Sequence, residues 1–385
     1  MRILLITARF LPHRGGLESM VYHLAQEFQS GGHVIQIITA RYPRTLPAHE
    51  IISGIPVERL HFIRPLWSDL RTGRPDLFLA GLWFGVITPL RLQVRIRSFQ
   101  PDVVNAHYLY APAWAAAALQ PKLKFTLVVS FHGGDVDGEP FRSALNRRKF
   151  SQVCAAAAQL TACSQNLAAQ AVALEPGIQP RLSVIHNGVD LEKFSQPQVP
   201  PLAGPYILAV GQMAAHKGFD LLLEAFANAA PQYPQVRLVL AGEGPQRPIL
   251  EARAAQLNLS QQVFFTGRIN EEQVAAWMAG CLFLAVPSRR EPFGMVALEG
   301  MAAGKVVLAA PVGGIPEFLP VPPNRLVPIN LADWQAALAE TLALALAGGL
   351  DATGNREHAR QHSWSKVAKD YLAVYQKALS ANDGH

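Results

Sequence analysis

The sequence predicts an α/β protein built from two doubly wound domains, each with a mostly parallel sheet covered by helices on both faces. Short apolar runs alternate with helix-like stretches along nearly all of the 385 residues, and the runs themselves do not alternate between apolar and polar residues. This series breaks once, in a proline-rich stretch at 195–205, and then starts again. The length also exceeds that of one ordinary domain, which has roughly 150 residues.

The first half of the chain predicts six strands separated by helices. Arg2–Ala8 is an apolar strand, and a helix over Gly16–Ser30 follows it. The further strands are His33–Thr39, Val103–His107, Phe125–His132, Leu160–Ser164 and Arg181–His186, and the further helices are Asp76–Arg97, Arg142–Ala157 and Gln165–Ala173. We expect these elements to form a first domain at 1–195.

The second half repeats the pattern after a linker at 196–205, which has several prolines and no helix or strand period. Its predicted strands are Tyr206–Gly211, Val236–Ala241, Val263–Gly267, Leu282–Pro287 and Val306–Ala310, and its predicted helices are Gly218–Ala230, Pro248–Leu257, Asn270–Gly280, Phe293–Ala303, Leu331–Ala347 and Trp364–Leu379. We expect a second domain at 206–362 and a separate terminal helix within 363–385.

Composition argues against several classes of protein. The three cysteines, Cys154, Cys163 and Cys281, make neither a disulfide framework nor a CxxC metal pair. Arg9 interrupts the first apolar run too early for a secretory signal, and the uncharged window Leu77–Leu90 is shorter than the roughly 20 residues of a membrane span. The net charge of +6 fits an anionic partner without requiring nucleic acid. We therefore expect a cytoplasmic protein that binds no nucleic acid.

Candidate site residues in the first half follow strands, because ligands bind at the carboxyl ends of parallel strands. Gly15 and Gly16 open the first helix, where backbone N–H groups approach an anion; a tight turn is the structural alternative. His132 ends a strand and precedes two glycines, so it is either a cleft histidine or a structural one. Asp135 and Asp137 spell D-x-D, but we interpret Asp135 as a turn or helix-capping carboxylate rather than a metal ligand.

The second half offers a cation at its first strand end. Gly211 and Gln212 end the strand, and Lys217 lies six residues after the glycine, which would place an ammonium where a diphosphate binds. A solvated surface lysine is the alternative. Gly242-Glu243-Gly244 begins like a dinucleotide fingerprint, but position 247 is arginine instead of glycine, which argues against a nicotinamide cofactor.

Two glutamates eight residues apart flank the start of the helix predicted at Phe293–Ala303. At about 1.5 Å per residue, the carboxylates of Glu291 and Glu299 lie roughly 9–12 Å apart along the axis. This is too far for a pair that acts on one bond, but it suits contacts with both ends of an extended ligand. Free N–H groups at Phe293–Val296 favour phosphate between them, and ribose hydroxyls would satisfy a buried Glu299. A surface glutamate is the alternative.

Seven short motifs, in order over about three hundred residues, resemble those of glycosyltransferase family 4, retaining sugar-nucleotide transferases with the two-Rossmann GT-B fold. The matching segments are Phe10-Leu11-Pro12…Gly15-Gly16-Leu17-Glu18, Val184-Ile185-His186-Asn187-Gly188-Val189-Asp190…Phe194, Val210-Gly211…Lys217-Gly218…Ala225-Phe226, Ala241-Gly242-Glu243-Gly244-Pro245, Val263-Phe264-Phe265-Thr266-Gly267, Glu291-Pro292-Phe293-Gly294…Glu299 and Pro311-Val312-Gly313-Gly314-Ile315-Pro316-Glu317. The resemblance implies two domains that face each other across a cleft.

The resemblance also implies roles for particular residues. Glu299 would hold the ribose of a nucleoside-diphosphate sugar, Glu291 the hydroxyls of the transferred sugar, and Lys217 the diphosphate. His132 would lie near the reacting sugar carbon. Donor contacts would come from Gly15, Gly16, Gly211, Gln212, Arg268, Phe293, Gly294, Met295, Val296 and Glu299. Transfer would need no divalent metal and no cofactor besides the donor, and the terminal helix would cross back onto the first domain.

The chain departs from the family at Gln212, where an arginine is usual. Arg14, Arg289 or Arg290 would have to supply the missing positive charge. A sugar-nucleotide epimerase of the same fold and a catalytically silent nucleotide-binding subunit are the alternative functions.

We expect a glycan or lipid-linked acceptor, in polysaccharide or glycolipid synthesis. Trp83 and Phe84, followed by Arg91, Arg95 and Arg97, suggest peripheral contact with an anionic membrane at its inner face. A core helix with a solvated basic end is the alternative for this segment.

Overall fold

The chain divides into two compact units, Met1–His186 together with the chain from Trp364 onward, and Asn187–Ser363. The computed structural model describes residues 1–13, 15–62 and 75–382. The sequence places the end of the first domain at 195, whereas the chain leaves the first unit after His186. The reason is that 187–205 packs within the second unit: Phe194 is buried, and Pro200 lies so close to Gly280 that a Cβ there would meet it at 2.4 Å.

The first unit contains an eight-stranded sheet in the order β3-β4-β2-β1-β5-β6-β7-β8. All its neighbouring pairs are parallel except β3 with β4, which are antiparallel. The strands are Arg2–Thr7 (β1), Val34–Ala40 (β2), His49–Ile52 (β3), Ile55–Leu60 (β4), Val103–His107 (β5), Thr126–Phe131 (β6), Gln159–Ala162 (β7) and Leu182–Val184 (β8). The fully buried patterns of β5, β6 and β7 fit a sheet covered on both faces.

Helices flank this sheet, and the last one comes from the far end of the chain. Their bounds are Gly16–Ser30, Pro75–Phe99, Ala111–Leu123, Gly134–Asp137, Ala144–Ala156, Gln165–Leu174 and Trp364–Asn382. The terminal helix packs on Gly16–Ser30 and on β6 and β7. The Tyr375 hydroxyl donates to the Asn105 amide oxygen over 2.7 Å, so the buried middle of the sheet is hydrogen-bonded to the terminal helix.

The second unit contains six parallel strands in the order β11-β10-β9-β12-β13-β14. The strands are Tyr206–Val210 (β9), Arg237–Ala241 (β10), Val263–Gly267 (β11), Leu284–Val286 (β12), Val307–Ala309 (β13) and Arg325–Leu326 (β14). The helices are Leu191–Ser195, Phe219–Ala229, Arg247–Gln256, Glu271–Gly280, Met295–Ala302, Ile315–Phe318, Leu331–Leu346 and Thr353–Arg360. The predicted pair of doubly wound α/β sheets is confirmed.

Some elements escaped the sequence analysis. In the hairpin β3–β4, no residue of β3 is buried, and Pro56, Glu58 and Arg59 interrupt the apolar run of β4, so the hairpin carries little apolar signal. The helix Ala111–Leu123 contains a run of four alanines without an amphipathic period. The helix predicted from Phe293 begins instead at Met295, because Gly294 adopts a left-handed conformation with φ of 110° just before it.

The helix Pro75–Phe99 displays an apolar stripe to solvent. Trp83 is 65% exposed, and the other members of this stripe are Leu79, Val86, Leu90 and Val94. The opposite side, with Thr88, Leu92 and Ile96, is buried. The core interpretation is therefore wrong for Trp83, while the side chain of Phe84 lies outside the described residues. Within the described part of the chain, no helix has the length and apolarity required to cross a membrane.

Candidate functional site

Each sheet has one point where the strand order reverses, and most of the predicted site residues follow the strands beside it, while His132 follows β6 and Arg268 follows β11. In the second unit this point lies between β9 and β12, so the loops after these strands are neighbours. In the first unit it lies between β1 and β5. The structure places Gly15, Gly16 and His132 in the first unit and all other predicted site residues in the second.

Lys217 and Glu291 form an ion pair in the second unit. The Lys217 Nζ donates to Glu291 Oε2 over 2.5 Å, and the side chains are only 19% and 13% exposed. The Ser288 hydroxyl donates to the same carboxylate oxygen over 3.3 Å. The predicted cation and the first predicted glutamate are thus brought together from loops 74 positions apart. The pair holds the ammonium in place, and an anionic ligand would compete for it.

Two glycines permit the loops of this pair to approach each other. Gly218, with φ of 69°, lies against the carbonyl oxygen of Pro287, where an added Cβ would meet that oxygen at 1.9 Å. Gly313, with φ of 56°, lies against the carbonyl oxygen of Glu291, which an added Cβ would meet at 1.5 Å. Both positions combine a left-handed backbone with a backbone contact, so only glycine fits them.

The helix Met295–Ala302 begins directly after this pair. Phe293 is buried and stacks on Phe318 with ring centres 4.7 Å apart, which fixes the entry to the helix. Gly294 caps the helix without a side-chain hydrogen bond. The N–H groups of the first turn, at Met295 and Val296, have no intrahelical acceptor and carry the positive end of the helix dipole.

Glu299 lies on the second turn of that helix and has an unusual protonation state. Burial raises the pKa of its carboxyl to about 8; Glu271 adds to this rise and Lys193 opposes it. The carboxyl makes no hydrogen bond or salt bridge with the residues that the structure describes. Because this partly buried carboxyl makes none of these contacts, its oxygens are available to form hydrogen bonds with a ligand.

Sequence reasoning missed the charges around Glu299. Lys193 donates to Glu271 over 2.6 Å and lies 3.6 Å from Asp190. Asp190 also caps the helix Leu191–Ser195 by accepting the Lys193 N–H over 3.0 Å. In the sequence, Asp190 ends the motif Val184…Asp190 and Lys193 lies just after it. The motif does not predict that Lys193 contacts Glu271.

The remaining donor-side residues are more exposed. Gln212 is exposed, and Gly211 lies close to the Lys217 stem, which an added Cβ would meet at 3.8 Å. Arg268 is exposed after β11. Arg289 is held by Asp220 in a two-pronged pair with both distances at 2.7 Å, so it is already engaged; Arg14 lies outside the described residues.

In the first unit, Asp135 organises the turn after β6. Its carboxylate accepts the N–H groups of Gly133 over 2.8 Å, His132 over 3.0 Å and Leu109 over 3.1 Å. Burial raises its pKa to about 6, and these three N–H groups oppose the rise. Of the two predicted roles of Asp135, the turn carboxylate is confirmed and the helix cap is wrong, because the helix Gly134–Asp137 has no side-chain hydrogen bond at its cap. Among the described residues, no three His, Cys, Asp or Glu side chains are grouped as metal ligands.

His132 is paired with a histidine that the sequence analysis did not select. The Nδ1 atom of His107 lies 3.2 Å from Nε2 of His132, and the ring centres are 5.4 Å apart. His107 ends β5 and His132 follows β6, and these strands are neighbours. The sequence places a histidine at the end of each of two successive predicted strands, and this pattern could have predicted the pair.

Gly15 and Gly16 start the helix Gly16–Ser30 as predicted. Gly15 occupies the cap position in extended backbone, with no side-chain hydrogen bond to the first turn. Both residues are exposed. The helix therefore presents N–H groups that no side chain of its own cap satisfies.

Comparison with known proteins assigns the chain to a family. A family model described as Glycosyltransferase Family 4 matches residues 14–193, and one described as Glycosyl transferases group 1 matches 190–349. The D-inositol 3-phosphate glycosyltransferase of Mycolicibacterium smegmatis is 30% identical over 95% of this chain and 87% of its own. The GDP-mannose:cellobiosyl-diphosphopolyprenol alpha-mannosyltransferase of Xanthomonas campestris is 27% identical over 98% and 97%.

A solved structure agrees in fold. Sucrose-phosphate synthase from Thermosynechococcus elongatus superposes with a TM-score of 0.78 at 21% identity, covering 99% of this chain and 100% of that one. The two parallel-sheet units are those of a GT-B fold. This chain belongs to glycosyltransferase family 4 and is a hexosyltransferase-type enzyme.

Proposed function

We propose that the protein moves a sugar from a nucleoside-diphosphate sugar to a hydroxyl of a glycan or lipid-linked acceptor, with retention at the sugar carbon and without a divalent metal. The observation that carries this proposal is the juxtaposition of Lys217, Glu291 and the start of the helix that bears Glu299. The ammonium of Lys217 and the N–H groups at the start of the helix can bind a diphosphate. The carboxyls of Glu291 and Glu299 can bind hydroxyls on either side of that diphosphate. The name of the Xanthomonas relative includes a nucleoside-diphosphate sugar and a diphosphopolyprenol, which supports this choice of substrates.

The residues would stabilise the leaving group electrostatically. As the bond from the sugar carbon to the diphosphate breaks, negative charge grows on the phosphate oxygen. Lys217 and the N–H groups of Met295 and Val296 would stabilise this charge. Glu291 would then give up its ion pair with Lys217 and accept hydrogen bonds from hydroxyls of the sugar. Glu299 would accept hydrogen bonds from the ribose hydroxyls.

The acceptor hydroxyl would attack the same face of the sugar that the diphosphate leaves. Its oxygen forms the new bond to the sugar carbon, and its proton passes to the departing phosphate oxygen. No carboxylate is assigned as nucleophile, and His132 orients the donor sugar. The products are the glycosylated acceptor and a free nucleoside diphosphate.

The acceptor proposal rests on the helix Pro75–Phe99. Its exposed stripe of Leu79, Trp83, Val86, Leu90 and Val94 is accompanied by the exposed Arg91 and Arg97 near the end of the helix. An apolar stripe beside arginines suits the surface of an anionic bilayer, where a lipid-linked acceptor is found. The same helix also lines an apolar cavity of about 450 Å³, in which Lys149 Nζ lies 4.3 Å from the centre of the Trp114 ring.

Vesicle sedimentation tests the membrane contact. We expect the full chain to sediment with vesicles of phosphatidylglycerol and phosphatidylcholine at low salt, and less at high salt. Trp83→Ser together with Leu90→Ser should lower the bound fraction, whereas Ile249→Ser, an exposed apolar residue in the second unit, should not. Equal sedimentation of wild type and the double variant would contradict the proposed surface.

Ligand binding and product analysis test the reaction. In a thermal-shift panel of uridine, guanosine and adenosine diphosphates, one ligand at a hundred times its Kd should add about 2.7 kcal/mol to the stability. Free nucleoside diphosphate should form only when acceptor is present. Conversion of the sugar nucleotide without acceptor would indicate the epimerase alternative. Nucleotide binding without turnover would indicate the catalytically silent subunit. The absence of any shift in melting temperature would refute the donor site.

A further inference from the structure

The imidazoles of His107 and His132 share one hydrogen bond at the carboxyl ends of β5 and β6. Their nitrogens, Nδ1 of His107 and Nε2 of His132, are 3.2 Å apart, and the rings are inclined by 29°. His107 is completely buried. The backbone N–H of His132 is held by Asp135, so both the main chain and the ring of His132 have fixed partners.

Both rings are neutral at physiological pH. Burial lowers the pKa of His132 to about 3, and burial together with His132 lowers the pKa of His107 well below its usual range. A neutral imidazole carries a proton on one nitrogen and a lone pair on the other. The shared hydrogen bond therefore exists in one of two forms, with either His107 or His132 as donor.

The second nitrogen of His107 decides between these forms. His107 Nε2 is fully buried and has no hydrogen-bond partner among the residues that the structure describes. An unpartnered buried N–H group is rarer and more costly than an unpartnered acceptor. The lone pair of His107 therefore belongs on Nε2 and its proton on Nδ1, from which it donates to Nε2 of His132.

We propose that His107 fixes His132 in the form that carries its proton on Nδ1, so that His132 acts as a hydrogen-bond donor to a substrate oxygen and not as a base. His107 is then a positioning residue for His132. This inference rests on the proposed function for its consequence in catalysis, but the protonation form itself is independent of it. It fits a reaction in which the acceptor proton leaves with the phosphate.

The test is a ¹⁵N spectrum of the imidazoles in the full chain. The signals of His132 are assigned by their loss in His132→Gln. We expect the wild type to show the proton of His132 on Nδ1. His107→Phe keeps a ring but removes the donor, and should let His132 populate both forms. His107→Asn keeps an N–H near the position of Nδ1 and should preserve the wild-type form.

Transfer kinetics provide the second arm. His107→Phe should lower kcat about 10- to 100-fold with little change in the KM for donor, by analogy with the loss of hydrogen-bond partners of metal-ligating histidines. His107→Asn should recover most of this loss, and His49→Phe, at an exposed strand edge, should behave as wild type.

The outcomes separate the two proposals. A wild-type spectrum with the proton on Nε2 of His132, or an unchanged spectrum in His107→Phe, would overturn the inference. This wild-type measurement depends only on the assignment with His132→Gln, so it decides even where a His107 variant fails to fold. Absence of transfer in the wild type with the expected spectrum would contradict the proposed function and leave the inference standing.

Discussion

The strand ends of the two units share a fold and differ in their electrostatics. In the first unit, two neutral imidazoles share a hydrogen bond, and the Asp135 carboxylate is satisfied by backbone N–H groups. In the second, side chains form ion pairs, with Lys217 bound to Glu291 and Lys193 bound to Glu271. An ion pair can exchange its partner for a charged ligand, whereas a neutral pair suits uncharged hydroxyls. We therefore propose that the phosphate of the donor binds in the second unit.

The largest expected effect comes from removing the cation. Lys217→Met keeps the apolar stem and should lower kcat/KM about 10²- to 10³-fold, because the charge that develops on the leaving phosphate loses a donor. It also leaves the Glu291 carboxylate partly buried without its cation. Lys377→Met, at an exposed lysine of the terminal helix, is the matched control and should behave as wild type.

A double-mutant cycle with Glu291→Gln measures the coupling of this pair, which should be about 0.5–3 kcal/mol in chemical unfolding. Normal transfer by Lys217→Met would break the comparison between the two units, because the second unit would then not depend on its charges.

The next effect is the pH dependence of stability at Glu299. Its pKa is about 8 in the folded chain and 4.5 without burial, so between these values the unfolded chain ionises it while the folded chain keeps the proton. Stability therefore falls as pH rises through this window. Glu299→Gln removes this titration and should gain stability relative to wild type by about 1–3 kcal/mol from pH 5 to pH 8, within the limit of about 1.4 kcal/mol per pKa unit.

Thermal melting over this pH range checks the Glu299 effect, with Glu340→Gln, an exposed glutamate, as control. Glu299→Gln should also bind the nucleotide about tenfold more weakly than wild type at pH 9, where the wild-type carboxylate accepts hydrogen bonds from the ribose hydroxyls. A constant difference in melting temperature at all pH values would show that Glu299 titrates normally.

The smallest effect belongs to Arg289. Its pair with Asp220 is exposed, so Arg289→Ala should cost at most about 1 kcal/mol of unfolding free energy. Because Asp220 already engages it, donor affinity in calorimetric titration should stay unchanged. A tenfold loss of affinity would instead identify Arg289 as the replacement for the arginine that is usual at Gln212.

The sequence predicted the alternation of strands and helices because buried parallel strands and helix starts leave local patterns. Lys217 and Glu291 were predicted as separate ligand contacts, but their ion pair was not, since only the adjacency of β9 and β12 brings their loops together. His107 was missed for the same reason. The helix Pro75–Phe99 is apolar on several sides, so its pattern did not distinguish the buried Leu92 from the exposed Leu90.

The chain enters and leaves the second unit at adjacent points. The Val189 N–H donates to the His362 carbonyl oxygen over 2.8 Å, and Val189 pairs with Ser363 in an isolated bridge. The second unit is thus an insertion with adjacent ends, while the first unit combines the chain before the insertion with the chain after it. A chain that stopped at Ser363 would keep the whole second unit and lose Tyr371 and Tyr375, which contact Thr161 and Asn105 in the first sheet. A truncation after Ser363 would therefore disturb the first unit, although the second unit is its neighbour along the chain.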